Sequence, residues 1–142
     1  MTDKERSEEL IALEDELLVG GVILSEWCSF LVREADTTYV AGSFLASILT
    51  SMSAIETHLR SELPGAAKLR LVQLIEGSGL DANLRTDLHA LRKYRNRWVH
   101  VSDPWDDQDL IQNPSDCESE LERMASFAIG ALHRTVFAFP WV

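Results

Sequence analysis

The sequence has 142 residues, 46% of them hydrophobic, and a formal net charge of −10 at pH 7. A chain of this length can bury a core of its own, so residues 1–142 are interpreted as one domain. The acidic balance argues against long-range attraction of nucleic acid, which usually accompanies a basic domain. The charged N-terminal stretch does not resemble a signal peptide, and no apolar run approaches the roughly 20 residues of a membrane span. A soluble, cytoplasmic protein without membrane contacts is therefore expected.

The first predicted helix is long, with apolar residues at alternating spacings of three and four from Leu10 to Leu31. Gly20 and Gly21 lie in its middle. Because each glycine costs about 1 kcal/mol of helix propensity, a bend or a close helix contact is expected there. The segment 36–38, Asp-Thr-Thr, offers capping side chains for a second helix.

The second helix is predicted to run from about Thr38 to Glu62 and to end at Pro64-Gly65. Small residues on its flanks permit close approach of another helix. Its inward side chains are predicted to be Val40, Phe44, Ile48, Met52, Ile55 and Leu59. A short third helix follows and is expected to stop at the Gly-Ser-Gly segment 77–79.

Asp81 is the predicted cap of a fourth helix, which extends to about Val99 or His100. A polar loop without periodicity follows it. A capping box at 115–118, Ser-Asp-Cys-Glu, then predicts a last helix that ends before Pro140. The predicted fold is all-α, an up-and-down bundle of four long helices and one short helix.

No metal or cofactor site is predicted. The aspartates of the polar loop lack the glycine and the closing glutamate of a calcium-binding EF-hand, and a solvated acidic loop is the preferred interpretation. Zinc-ligand spacing, a Gly-rich phosphate loop and a GxSxG elbow are also missing from the sequence. The two cysteines, Cys28 and Cys117, form no CxxC pair and are interpreted as buried thiols.

The fourth helix carries a charge on its apolar stripe. On a wheel of about 100° per residue, one stripe contains Leu84, Leu88, Leu91, Arg95 and Trp98. An unpaired arginine in a dry core would cost at least several kcal/mol, because the guanidinium keeps its proton. The stripe is therefore expected to open onto something polar at Arg95, whereas core packing is preferred for Trp98.

A second stripe beside the first contains only polar side chains: Arg85, His89, Arg92, Asn96 and His100. Two interpretations fit this pattern. One is a solvated flank, with Arg95 paired to a carboxylate of the second helix such as Glu56. The other is a functional surface of hydrogen-bond donors.

The segment 95–100, Arg-Asn-Arg-Trp-Val-His, has the form R-N-x-x-x-H and resembles the signature of HEPN domains, small helical bundles of which many are ribonucleases. The order of the helices, including a small-residue helix that carries Glu56, extends the similarity over nearly the whole chain. The resemblance implies a metal-independent endoribonuclease that acts on RNA as a homodimer, with the two motifs facing each other across a shared cleft.

The resemblance makes Arg95 and His100 the catalytic pair and Asn96 the residue that orders the site. Histidine suits the base and acid roles, and arginine suits a charged phosphorane, so a 2',3'-cyclic phosphate product is expected. Arg95 and His100 point about 140° apart on a straight helix and can converge only if it ends near Val99. The remaining candidates are the substrate contacts Arg92, His89, Arg85 and Lys93 and the supporting acid Glu56.

A toxin or phage-defence role, with an antitoxin or other regulatory protein as partner, is compatible with the family. One HEPN toxin subgroup has a modified tyrosine where this sequence has Ser102, so that mode of control is not carried over. Two alternatives stay open. The net charge of −10 favours a non-catalytic HEPN module that dimerises or binds a nucleotide or protein, because a polyanionic substrate would be repelled. The other is a helical interaction protein with an ion-paired Arg95.

Overall fold

The computed structural model describes residues 1–18 and 20–140. Its helices are α1 (Asp3–Leu17), α2 (Glu26–Val40), α3 (Phe44–Glu62), α4 (Leu71–Gly77), α5 (Ala82–Val99), α6 (Gln108–Gln112) and α7 (Pro114–Phe137), with a 3-10 turn at Ala66–Lys68 before α4. The predicted all-helical class is confirmed. Within the described residues, none of the helices has the length and apolar character needed to traverse a bilayer.

The predicted long first helix is wrong, because the structure has two helices there. α1 ends at Leu17, and α2 begins after Ser25, whose hydroxyl accepts a hydrogen bond from the Cys28 N–H at 3.1 Å. Two consecutive glycines lower helix propensity, and a serine cap a few residues later stabilises a new start. The chain therefore interrupts the helix where a bend was expected.

The predicted start of the second helix at Thr38 is also wrong, because residues 36–38 lie inside α2. The Thr38 hydroxyl donates back to the Glu34 carbonyl at 2.7 Å instead of capping a helix. The chain reverses at Gly42, whose φ of +81° lies in the left-handed region. A Cβ at Gly42 would also lie 3.3 Å from the Arg6 guanidinium, so a glycine is suited to this turn.

The bounds of the later helices agree better with the sequence. The Asp81 carboxylate accepts a hydrogen bond from the Leu84 N–H at 2.9 Å, which confirms it as the cap of α5. The last helix begins at Pro114 without a capping box, since proline at the first helical position needs no hydrogen-bond partner for its nitrogen. It ends at Phe137, before Pro140 as predicted.

Successive long helices run in opposite directions, as the α5–α7 pair illustrates. Arg97, near the end of α5, lies 3.6 Å from Glu120 near the start of α7. Asp87, near the start of α5, lies 2.8 Å from Arg134 near the end of α7. Ion pairs in this order require antiparallel helices. The part of the chain that the structure describes has five long helices and two short ones, where the sequence predicted four and one.

α3 lies at the centre of the bundle and packs against α2, α7, α4 and α5. Its predicted inward residues Ile48, Met52, Ile55 and Leu59 are fully buried. Cys28 is buried as predicted, and burial raises the pKa of its thiol. Cys117 is only partly buried, contrary to the prediction, because the first turn of α7 lies at the edge of the bundle beside α6.

Candidate functional site

The candidate site is the C-terminal half of α5, and its buried face differs from the predicted one. Leu91 is fully buried, and the next buried residue is Tyr94, only 8% exposed, whereas Arg95 is partly exposed. From Leu91, Tyr94 lies about 60° to one side of the helix and Arg95 about 40° to the other. Arg97 covers the Tyr94 ring at 5.4 Å and pairs with Glu120, so packing against α7 favours Tyr94. The sequence offers two positions for the next buried residue after Leu91, three and four residues on. Choosing the less polar of the two would have identified Tyr94 as the buried residue.

Arg95 therefore lies at the border of the core. Its Nε donates a hydrogen bond to Oδ1 of Asn96 at 3.1 Å. Within residues 1–18 and 20–140, no carboxylate oxygen lies within 4.0 Å of the Arg95 guanidinium. The alternative pairing with Glu56 is not formed, since Glu56 Oε1 lies 3.7 Å from the Arg60 guanidinium. A partly exposed arginine needs no such partner.

Arg85 and Arg92 extend this cationic flank. Neither has a carboxylate within 4.0 Å among the described side chains. Both Nε atoms are buried without a hydrogen-bond partner in that part of the chain, so the stems lie along the protein surface. Arg85, Arg95 and Asn96 all lie within about 60° of Arg92 on a helical wheel. A protein of net charge −10 thus carries uncompensated cations on one flank of α5.

Two other predicted substrate contacts are placed differently. His89 lies on the same flank, but its Nε2 is 2.6 Å from Oε1 of Glu76 in α4, so a carboxylate already engages it. Lys93 is exposed on the neighbouring face of the helix. Arg97, inside the motif, is directed to α7 and pairs with Glu120 at 3.6 Å. Arg85, Arg92 and Arg95 are therefore the cations of this flank that have no carboxylate partner among the described residues.

His100 is exposed and ends α5 as its C-cap, with φ −125° and ψ 61°. Its backbone N–H still donates to the Asn96 carbonyl at 3.0 Å. The helix thus ends at Val99, as convergence of Arg95 and His100 would require. Within the described part of a single chain, no hydrogen bond joins these two side chains. In a single chain, Arg95 therefore does not fix the position of the His100 imidazole.

A cleft of about 470 Å³ lies beside the motif, between the starts of α3 and α7, the end of α5 and α6. Trp98 forms one wall and packs against the core, as predicted. Its Nε1–H is buried without an acceptor in the described residues. Trp105 is 85% exposed in the following loop.

Comparison of the chain with known family models, with curated proteins and with solved structures gives no significant match. The resemblance to HEPN domains therefore depends on the motif at residues 95–100 and on the helix order predicted from the sequence.

Proposed function

We propose that this HEPN-like domain is a metal-independent endoribonuclease that cleaves RNA by attack of a 2'-hydroxyl on the adjacent phosphate. The observation that supports the proposal is the end of α5, where an uncompensated Arg95, held by Asn96, precedes an exposed His100. These are the residue types that metal-free phosphodiester cleavage needs, and they lie five residues apart at the end of one helix. The protein acts in the cytoplasm under this proposal.

The roles follow from acid–base chemistry. The neutral His100 imidazole takes the 2'-hydroxyl proton, and an imidazolium gives a proton to the departing 5'-oxygen. The Arg95 guanidinium binds two non-bridging phosphate oxygens and stabilises the charge of the phosphorane. Arg92 and Arg85 bind neighbouring phosphates along the flank. The products are a 2',3'-cyclic phosphate and a free 5'-hydroxyl.

A second copy of the chain supplies the second motif histidine of a composite cleft. Exposed apolar side chains cluster in sequence around His100 and support a homodimer at this end of the bundle: Val99, Val101, Trp105, Leu110 and Ile111. Large apolar side chains that come together on a protein surface are typical of an interaction site. A toxin or defence effector that an antitoxin inhibits is compatible with such a homodimer.

The test is incubation of purified protein with RNA in EDTA, comparing wild type with His100→Ala and Arg95→Ala. We expect both variants to lose cleavage by about 100-fold or more, because each removes a group that acts in the transition state. The matched control is Arg123→Ala, an exposed arginine of α7. Its activity should equal that of wild type.

End-group analysis identifies the chemistry. Fragments that accept phosphate from a polynucleotide kinase at their 5' ends without prior dephosphorylation carry the expected 5'-hydroxyl. Fragments that carry 5'-phosphates contradict 2'-hydroxyl attack. Intact RNA in the wild type and His100→Ala samples alike contradicts the nuclease proposal as a whole.

The cleft beside Trp98 favours a second candidate, a non-catalytic HEPN module that dimerises or binds a nucleotide or partner protein. The cleft has room for a small ligand, and the chain's net charge of −10 opposes binding of a long polyanion. A nucleotide that raises the unfolding temperature of the protein while RNA stays intact would select this module over the nuclease.

A further inference from the structure

Three side chains that are distant in sequence meet where α1, α2 and α7 converge. Glu14, Asp36 and His133 each present one potential ligand atom, and these atoms all lie within 4.8 Å of one another. His133 Nε2 is 2.9 Å from Asp36 Oδ1. The set offers one imidazole nitrogen and two carboxylate oxygens.

Among the described residues, the His133 ring is the one basic side chain beside these carboxylates. In the described ranges, no lysine or arginine nitrogen lies within 4.0 Å of the Glu14 or Asp36 carboxylate. Two carboxylates at this separation repel each other. A divalent cation would satisfy both.

The three side chains are close enough together to share one ion. Two ligands of a tetrahedral ion with bonds of about 2.1 Å lie about 3.4 Å apart, between the His133–Asp36 separation of 2.9 Å and the 4.8 Å within which all three atoms lie. His133 is only 4% exposed, and its ring stacks on Phe137 at 6.2 Å, so the nitrogen is held in place. Glu14 is exposed and leaves a path for an ion and a water ligand.

We propose that Glu14, Asp36 and His133 bind a divalent transition metal ion, Zn²⁺ in the first instance, which joins α1 to α2 and α7. A mixed imidazole and carboxylate set favours Zn²⁺ over Mg²⁺, which prefers oxygen ligands alone. The site is separate from the motif. His133 is thirteen residues beyond Glu120, the partner of Arg97, and thus about 20 Å further along α7. The proposal does not depend on nuclease activity.

The test uses the full chain, freed of metal with EDTA and dialysed, then titrated with ZnCl₂ or MgCl₂ in calorimetry and in thermal unfolding. We compare wild type with Glu14→Gln, which removes one ligand at an exposed position, and with Glu16→Gln as the matched control on the same helix. Zn²⁺ should bind and raise the unfolding temperature of wild type and Glu16→Gln, whereas Mg²⁺ should not.

Glu14→Gln should weaken Zn²⁺ binding by about tenfold or more, because even an outer-shell partner of a ligand contributes about 10- to 100-fold. Zinc affinity that is equal in all three proteins would belong to another surface group, such as the His89–Glu76 pair, and would overturn the proposal. So would the lack of any zinc-induced rise in the unfolding temperature of wild type.

Discussion

Arg95 and Asn96 are bonded side chain to side chain, with Nε of the arginine donating to Oδ1 of the asparagine at 3.1 Å. Consecutive residues of a helix point about 100° apart, so this bond draws the guanidinium away from the buried stripe and towards the Asn96 side. Arg85 and Arg92 lie on that same flank. The motif's first two residues thus form one unit, a cation and the amide that orients it.

The first prediction concerns Asn96→Ala. The change leaves the charge of Arg95 but frees its orientation, and misplacement of a catalytic group by about 1 Å can cost about 100-fold in rate. We expect RNA cleavage under single-turnover conditions to slow by about 10- to 100-fold. Asn83→Ala, an exposed asparagine at the start of α5, is the matched control. Equal loss of rate in both variants would contradict an orienting role for Asn96.

The second prediction concerns the homodimer. Val101 is 54% exposed beside His100, and a glutamate there would place a charge in the proposed subunit interface. In analytical ultracentrifugation at micromolar concentration we expect wild type to sediment as a dimer and Val101→Glu as a monomer. Ile11→Glu, on α1 and 57% exposed, should remain dimeric. A monomeric wild type would remove the composite cleft.

The third prediction concerns Arg6, a guanidinium that is 5% exposed and ties the start of the chain to α2. Its Nε donates to the Val40 carbonyl at 3.0 Å, and Nη1 donates to the Met1 carbonyl at 2.5 Å. Arg6→Ala removes a buried guanidinium and leaves the partly buried Val40 carbonyl without this donor, and it should lower the free energy of unfolding by about 3 kcal/mol. Urea denaturation measures this. Arg123→Ala should change it by no more than about 0.5 kcal/mol.

The fourth prediction concerns pH. His58 is fully buried in α3, and neither ring nitrogen has a hydrogen-bond partner among the described residues. Burial lowers the pKa of His58, and the Glu62 carboxylate opposes this only in part. The unfolded chain therefore takes up the proton first as the pH falls below about 6.5. Stability should fall from there towards the lowered pKa, by at most about 1.4 kcal/mol per pH unit.

The comparison is between wild type and His58→Leu, each unfolded in urea at several pH values between 5 and 8. The variant lacks the titrating group, so its stability should decrease less on acidification than that of wild type. His100→Ala, which removes an exposed histidine, should retain the wild-type pH dependence. Parallel curves for wild type and His58→Leu would show that His58 does not carry the effect.

Local signals in the sequence were sufficient for part of the fold. Asp81 caps α5, Pro64-Gly65 follows the end of α3, and α7 ends before Pro140, since each depends on residues next to one another in the chain. The end of α5 at Val99, which sets the position of His100, could be predicted in the same way.

Other features depended on which helix packs against which. Periodicity placed Arg95 on the buried stripe, but contacts with α7 turned that stripe towards Tyr94 and left Arg95 at its border. The helix break before Ser25 and the reversal at Gly42 had cues in the sequence. The same residues were, however, also compatible with one bent helix and with a helix cap at Thr38.

The sequence by itself determined that the chain is helical and that an arginine, an asparagine and a histidine stand at the end of one helix, because helix propensity and capping act between near neighbours. Only the tertiary structure decided that Arg95 has no acidic partner among the described residues and that Glu14, Asp36 and His133 meet. Contacts between residues so far apart in sequence depend on how whole helices pack, and local periodicity carries no information about that.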